Sequence, residues 1–335
     1  MSRTWKPTLL YALAHFAVDF GCAFAMFSAC STGPLGFLLY NFCAFAMQMP
    51  MGILADLLGK NRRFALLGTA LVALICCLPS FGMVGCILLG LGNGLFHIGG
   101  GLDVLNLSGR RAAPLGVFVS PGAYGIYLGT ILGNRSVSPV PVAALLILAC
   151  GGMLLWKSEQ MPENAPVDFP SSRIVPWAAL LFAVVVLRSY CGMAGSFSWK
   201  TGLWSLAAVS AVVLGKTMGG IAADRFGIMR TAGCSLLLSA TLFCFSRYPL
   251  PGVLALFFFN ITMPITLFAL SRSMQGCKGF SFGLLTFALF LGFLPTYMGA
   301  GTIGSWGLAL VAAASALLLL PGLHHLRGSL SGKES

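Results

Sequence analysis

The chain has 335 residues, of which 58% are hydrophobic and 8% charged, with a mean hydropathy of +0.91 and a formal net charge of +12. A water-soluble chain carries about 25% charged residues, so the composition excludes a soluble globular protein. It also removes the usual reading of a positive balance as a nucleic-acid surface, since basic residues in membrane proteins gather in cytoplasmic loops.

Apolar runs of about 20 residues cross the hydrocarbon as helices, and the barrel signature of alternating strands about 10 residues long is absent. In chain order the runs predict spans at 8–30, 34–58, 63–80, 83–107, 114–134 and 139–156, then 175–196, 201–224, 229–246, 250–271, 279–299 and 302–325. The first run follows Arg3 and Lys6, as a signal peptide would, but it is too long and contains His15 and Asp19, so it reads as a first transmembrane helix. Between the sixth and seventh runs, residues 157–173 hold Glu159, Glu163, Asp168, Pro162, Pro166 and Pro170. The expected organisation is an all-α membrane protein of two pseudo-symmetric six-helix bundles, 1–156 and 175–335, joined by a cytoplasmic linker at 157–174. The eleven cysteines lie in apolar runs without metal-like spacing and read as small buried residues.

Orientation follows from the basic residues. With the N-terminus inside, Arg3, Lys6, Lys60, Arg62, Arg63, Arg110, Arg111, Lys157, Arg173, Arg225, Arg230, Arg272, Lys278, Arg327 and Lys333 fall on the cytoplasmic side. Only Arg135, Lys200 and Arg247 fall outside. The positive-inside bias puts both termini in the cytoplasm of a multi-pass cell-membrane protein.

The two halves repeat. Gly52-Ile-Leu-Ala-Asp56-Leu-Leu-Gly59-Lys60-Asn-Arg62-Arg63 matches Gly220-Ile-Ala-Ala-Asp224-Arg225-Phe-Gly227-Ile-Met-Arg230 at a shift of 168. Internal repeats of this kind mark secondary transporter folds. Together with span number and orientation, this loop signature resembles the major facilitator superfamily. An aspartate at a helix end can pair with nearby cations or face the N-terminus of a neighbouring helix. The expected conformational latch therefore comprises Gly52, Asp56, Gly59, Lys60, Arg62 and Arg63 with Gly220, Asp224, Arg225 and Arg230.

With the charges of the loops and helix ends set aside, six ionisable groups are singled out within the spans: His15, Asp19, His97, Asp103, Arg188 and Lys216. Such groups face a cavity or a partner and mark function. At about 1.5 Å per residue, Asp19 lies about 20 Å beyond Lys6 and Arg188 about 18 Å from both Pro176 and Lys200. His15 and Asp19 share one face of the first helix; Asn93 and His97 share one face of the fourth. In the superfamily this chain resembles, helices 1, 4, 7 and 10 line the central cavity, which implicates these four residues with Arg188 and Asn260. Lys216 aligns with Gln48 in the repeat, and Asp103 is close enough to Arg110 and Arg111 to be a gate or loop partner. Gly99-Gly100-Gly101 either loosens the fourth helix or packs a neighbour closely. Gly122, Gly125, Gly129 and Gly133 have the spacing of a close-packing face. His15-x-x-x-Asp19 and Leu95-Phe96-His97 with Gly99-Gly100 resemble the fosmidomycin-resistance branch, with Ile98 where that branch has proline.

The expected function is secondary active transport of a small organic anion or amphiphilic drug-like solute by alternating access. Asp19, His15 and His97 are the proton-coupling candidates. Arg188, Asn93, His97, Asn260 and Lys216 are the substrate-binding candidates, the Arg188 fork suiting carboxylate, phosphonate or phosphate. Sodium is the alternative coupling ion, through the oxygens of Asp19 and Asn93. No cofactor, resident metal or nucleic acid is expected; the partners are the solute and the bilayer, and the protein is expected to be a monomer. Rival readings are a transport-fold sensor or scaffold without flux, and an intramembrane enzyme. The enzyme reading finds no Gly-x-Ser-x-Gly or His-Glu-x-x-His; no Gly-x-x-x-x-Gly-Lys-Ser/Thr supports ATP-driven pumping.

Overall fold

The computed structural model describes residues 2–135, 137–156, 162–168 and 170–326. Lys157, Glu159, Arg327 and Lys333, used above for the linker and the charge bias, lie outside the described residues, as does the Arg3 side chain. Among the described residues the chain is helical and contains no strand. The helices are α1 (Ser2–Ser28), α2 (Gly33–Leu58), α3 (Asn61–Cys76), α4 (Met83–Ser108), α5 (Ala113–Gly133) and α6 (Val140–Leu155). They continue as α7 (Val175–Ala194), α8 (Gly202–Phe226), α9 (Ile228–Cys244), α10 (Pro249–Ser273), α11 (Gln275–Tyr297) and α12 (Ser305–His325).

Nine of these are long and apolar enough to cross a membrane. The expectation of twelve spans is met by twelve helices, of which α3, α6 and α9 are shorter, with 16, 16 and 17 residues. At about 1.5 Å per residue they rise about 24–26 Å, against a hydrocarbon core of about 30 Å. Helix α3 also begins on Asn61, Arg62 and Arg63, so its first turn belongs to the interface.

The chain divides into two compact units. Unit 1 comprises Met1–Gly109, Val117–Val167 and Lys278–Phe287; unit 2 comprises Arg110–Gly116, Asp168–Cys277 and Ala288–Ser335. Unit 1 thus includes residues 278–287 of α11, and unit 2 includes residues 113–116 of α5.

Within unit 1, α1 and α5 approach closely along the predicted glycine face. A β-carbon at Gly125, Gly129 or Gly133 would lie 2.5, 2.4 or 2.7 Å from the carbonyl oxygens of Phe16, Phe20 and Phe24. Only small residues allow two backbones so near. The glycine triplet of α4 resolves the same way: α4 is unbroken from Met83 to Ser108, and a β-carbon at Gly99 would meet Asn61 O at 2.3 Å. Packing, not a loosened helix, explains it. Helix α2 contains a π turn at Phe42–Ala46, closed by Met47 N donating to Phe42 O at 3.1 Å.

The repeated motif has the same construction in both copies. In unit 1 the Asp56 carboxylate accepts from Gly279 N at 2.8 Å and Phe280 N at 2.9 Å, at the start of α11. In unit 2 Asp224 accepts from Ala112 N at 2.6 Å and Ala113 N at 3.0 Å, at the start of α5. Both acids therefore cap helix N-termini, whose unpaired N–H groups and dipole favour an anion. The motif glycines make room: β-carbons at Gly52 and Gly220 would lie 2.1 Å from Gly279 O and 2.5 Å from Ala112 O. Gly59 and Gly227 end α2 and α8 at φ +62° and +88°, a left-handed region that only glycine enters freely.

Candidate buried proton site and cation site

Helices α1 and α4 bring three titratable side chains of unit 1 together. His15 Nε2 is 3.1 Å from Asp19 Oδ2, and His97 Nε2 is 3.7 Å from Asp19 Oδ1. The two imidazoles meet edge to face, with His15 Nε2 and His97 Nε2 2.9 Å apart. All three side chains are buried. Asn93, 1% exposed, donates from Nδ2 to Asp19 Oδ1 at 3.3 Å and lies at 3.3 Å from Tyr40 Oη and 3.4 Å from Cys22 Sγ.

The remaining ring nitrogens fix the tautomers. His15 Nδ1 is 2.8 Å from Phe118 O, and His97 Nδ1 is 2.9 Å from Asn93 O. A carbonyl only accepts, so both Nδ1 atoms carry hydrogen and donate. If both rings were neutral, both Nε2 atoms would present lone pairs to each other at 2.9 Å. One additional proton converts that repulsion into a hydrogen bond of ordinary length. It also makes the cluster neutral overall, one imidazolium against one carboxylate, and an unbalanced buried charge is strongly disfavoured.

The same three residues offer a donor set for a divalent metal, with ligand atoms all within 4.8 Å of one another. The spacing favours the proton. Two nitrogens on a tetrahedral zinc at about 2.0–2.1 Å stand about 3.3 Å apart, so the 2.9 Å separation is a hydrogen-bond distance rather than the edge of a coordination shell.

In unit 2, Arg188 of α7 is 9% exposed. Its Nη1 lies 3.5 Å from Thr262 Oγ1 and 3.4 Å from Thr266 Oγ1, and Nη2 lies 3.3 Å from Thr266 Oγ1. Those hydroxyls donate to Phe259 O and Met263 O at 2.9 and 2.8 Å, leaving their lone pairs toward the guanidinium. The contacts are long and neutral. They orient the fork through neutral oxygens, and a guanidinium fork is chemically suited to carboxylate or phosphate.

The other predicted residues are placed as follows. Asp103 accepts from Tyr11 Oη within unit 1, so its partner is a phenol rather than Arg110 or Arg111. Asn260 donates to Leu256 O at 2.8 Å on its own helix. Lys216 is half-buried on α8, between Gly215 and Gly219, which pack closely on α10. Gln48, its counterpart in the repeat, is buried and donates to Ala44 O at 2.5 Å. Arg62 donates to Leu154 O, and Arg225 lies 5.7 Å over the Phe226 ring. Sequence reasoning missed Tyr40, the Phe118 carbonyl, Thr262 and Thr266. The two threonines carried a usable signal, being four apart on the tenth helix; a backbone carbonyl carries none.

No family model and no curated protein sequence matches the chain. Its fold is that of Major Facilitator Superfamily transporters. It is similar to the crystal structure of the superfamily transporter FucP in the outward conformation, with a TM-score of 0.68 at 17% identity, covering 97% of this chain and 99% of that one. It is likewise similar to a variant of the E. coli fucose:proton symporter FucP, with a TM-score of 0.64 at 15% identity over 96% and 99% of the two chains.

Proposed function

We propose that the chain is a secondary transporter that moves a small organic anion, or an acidic drug-like amphiphile, by alternating access together with a proton, leaving the solute chemically unchanged. The observation that carries this reading is the 2.9 Å contact between two imidazoles whose other nitrogens are already committed as donors, beside the Asp19 carboxylate. One extra proton neutralises that cluster; its departure leaves a buried negative charge and two opposed lone pairs. Proton release therefore accompanies a rearrangement that lets water or substrate reach the cluster. Asp19 provides the fixed negative charge and the histidine pair holds the mobile proton.

Arg188 supplies a permanent positive charge and a planar fork for a carboxylate, phosphonate or phosphate, with Asn260 and Lys216 of the same unit as further contacts. The Asp56 and Asp224 caps are the latches that break and re-form during the cycle. On this reading α3, α6 and α9 also span, giving twelve crossings in two six-helix bundles, with residues 157–174 as the linker. Both termini lie in the cytoplasm of a cell-membrane protein that acts as a monomer and needs no cofactor. The His15-x-x-x-Asp19 and Phe96-His97 pattern favours the fosmidomycin-resistance branch.

The test begins with a melting-point screen of the purified protein against anionic metabolites and antibiotics, since a ligand that prefers the folded state raises it. Hits are then assayed for flux in proteoliposomes under an imposed pH gradient. Gradient-driven accumulation by the wild type and its loss in His97→Gln are expected. Flux that ignores the gradient, or that responds instead to sodium, overturns proton coupling.

A further inference from the structure

One pair of nucleophiles has no part in that function. Cys30, in the turn between α1 and α2, places its Sγ 3.4 Å from Sγ of Cys86 in the first turn of α4. Thr32 Oγ1 lies 3.3 Å from Cys30 Sγ and 3.4 Å from Cys86 Sγ. The backbone holds this arrangement in register. Ser31 N donates to Phe81 O at 3.1 Å, Phe81 N donates to Ala29 O at 3.0 Å, and Ser31 Oγ adds a 3.0 Å bond to Phe81 O.

The two thiols differ in access and reactivity. Cys30 is half-buried, whereas Cys86 is fully buried beneath it. Burial works against a Cys30 thiolate, but hydrogen bonds from the Thr32 hydroxyl and backbone and from Cys86 outweigh it and hold this thiol below the ordinary cysteine value. A thiol that is both reachable and readily ionised is the one that attacks a disulfide.

We propose that Cys30 and Cys86 form a reversible dithiol–disulfide pair, with Cys30 attacking, Cys86 resolving, and a small-molecule disulfide of the glutathione class as oxidant. The Cys30 thiolate attacks one sulfur of the small disulfide; that S–S bond breaks, one half leaves as a thiolate, and Cys30 carries the other half as a mixed disulfide. Cys86 then gives its proton to the departing thiolate and attacks Cys30 Sγ. The Cys30–Cys86 bond forms and the second half leaves as a thiol. Two electrons pass from the cysteine pair to the small disulfide. The sulfurs must close from 3.4 Å to about 2.05 Å. The bond ties the α1–α2 turn to the start of α4, and a cross-link of this kind narrows the unfolded ensemble.

The experiment uses the full-length protein in detergent, treated with oxidised glutathione, alkylated with N-ethylmaleimide and mapped by mass spectrometry. A Cys30–Cys86 cross-linked peptide is expected, with two of the eleven free thiols lost and recovered on reduction. Cys86→Ser traps glutathione on Cys30, and Cys30→Ser leaves Cys86 unmodified. Cys77, exposed beyond α3, serves as the internal control, taking an adduct without a cross-link. The oxidised wild type melts above its reduced form, and oxidised Cys86→Ser does not, which separates cross-linking from a folding defect. Alkylation of both thiols after oxidation, a Cys30 cross-link to another cysteine, or no gain of adduct in Cys86→Ser overturns the proposal.

Discussion

Gly122 stands so close to Asp19 that a β-carbon at its position would lie 2.2 Å from Asp19 Oδ2 and 2.5 Å from His15 Nε2. The neighbouring glycines of α5 meet backbone atoms of α1, but this one meets the polar ends of the cluster. Gly122→Ala therefore wedges the carboxylate away from the imidazoles without removing any polar group. Proton-coupled flux is expected to fall at least about tenfold, since small displacements of positioned groups weaken proton transfer steeply. Gly129→Ala instead drives α1 and α5 apart and destabilises by about 1–3 kcal/mol, the usual overpacking range. Flux and melting temperature measured on both variants separate the two effects; equal losses of stability with unaltered flux in Gly122→Ala overturn the first expectation.

The facing Nε2 atoms of His15 and His97 predict a non-additive pair. Under the proposed coupling, removing either ring removes the other's partner, so His15→Gln, His97→Gln and the double variant should lose coupled flux to a similar extent. Interacting residues in one hydrogen-bond network depart from additivity in this way. Substrate exchange without a pH gradient is expected to survive in all three. A double variant impaired by the product of the two single losses denies a shared proton.

Helix positions and the motif were legible in the sequence because both rest on local rules. The length of apolar runs gave α2, α4 and α5 to within one residue at each end, though α1 begins six residues before its predicted start, and the matched Gly–Asp–Gly spacing anticipated two equivalent helix ends. The helix-N-terminus reading of Asp56 and Asp224 follows from the same chemistry, but nothing in the sequence told that the capped helices would be α11 and α5. The cluster itself was half legible. The four-residue spacing of His15 and Asp19 placed them on one face, and His97 belonged to another candidate lining helix. That the imidazoles meet through Nε2, with Nδ1 held by the Phe118 and Asn93 carbonyls, depends on rotamers and packing across helices. The hydrogen-bond partner of Asp103 is illegible for a similar reason: proximity in sequence favours Arg110 and Arg111, whereas packing of α1 on α4 delivers Tyr11.

The two caps predict a symmetric pair of stability losses. Asp56→Ala and Asp224→Ala each leave two helix-terminal N–H groups without their acceptor. Loss of a capping acid costs about 0.5–2 kcal/mol, and the Asn variants, which keep an acceptor oxygen without the charge, should lose less. Melting of the purified variants checks this. If Asp→Asn at both sites is as damaging as Asp→Ala, charge and not hydrogen bonding dominates the cap.

Arg188 offers the most direct test of the substrate class. Its fork is oriented by two threonine hydroxyls at 3.3–3.5 Å, contacts too long and too neutral to balance a buried guanidinium. If the solute is the proposed anion, it supplies that balance, and Arg188→Ala should weaken anion binding by well over tenfold, a charge-assisted hydrogen bond contributing about 1.5–3 kcal/mol. Arg188→Lys keeps the charge but loses the two-pronged geometry and should fall between the two. Thr266→Val removes the oxygen nearest to both Nη atoms while preserving shape, and should reduce affinity only modestly, because the charge remains. Melting-point shifts with a hit anion, titrated across these variants, measure all four affinities in one format. An affinity unchanged in Arg188→Ala transfers anion recognition to other residues, while a Thr266→Val loss as large as that of Arg188→Ala means that the guanidinium acts only when held in one orientation.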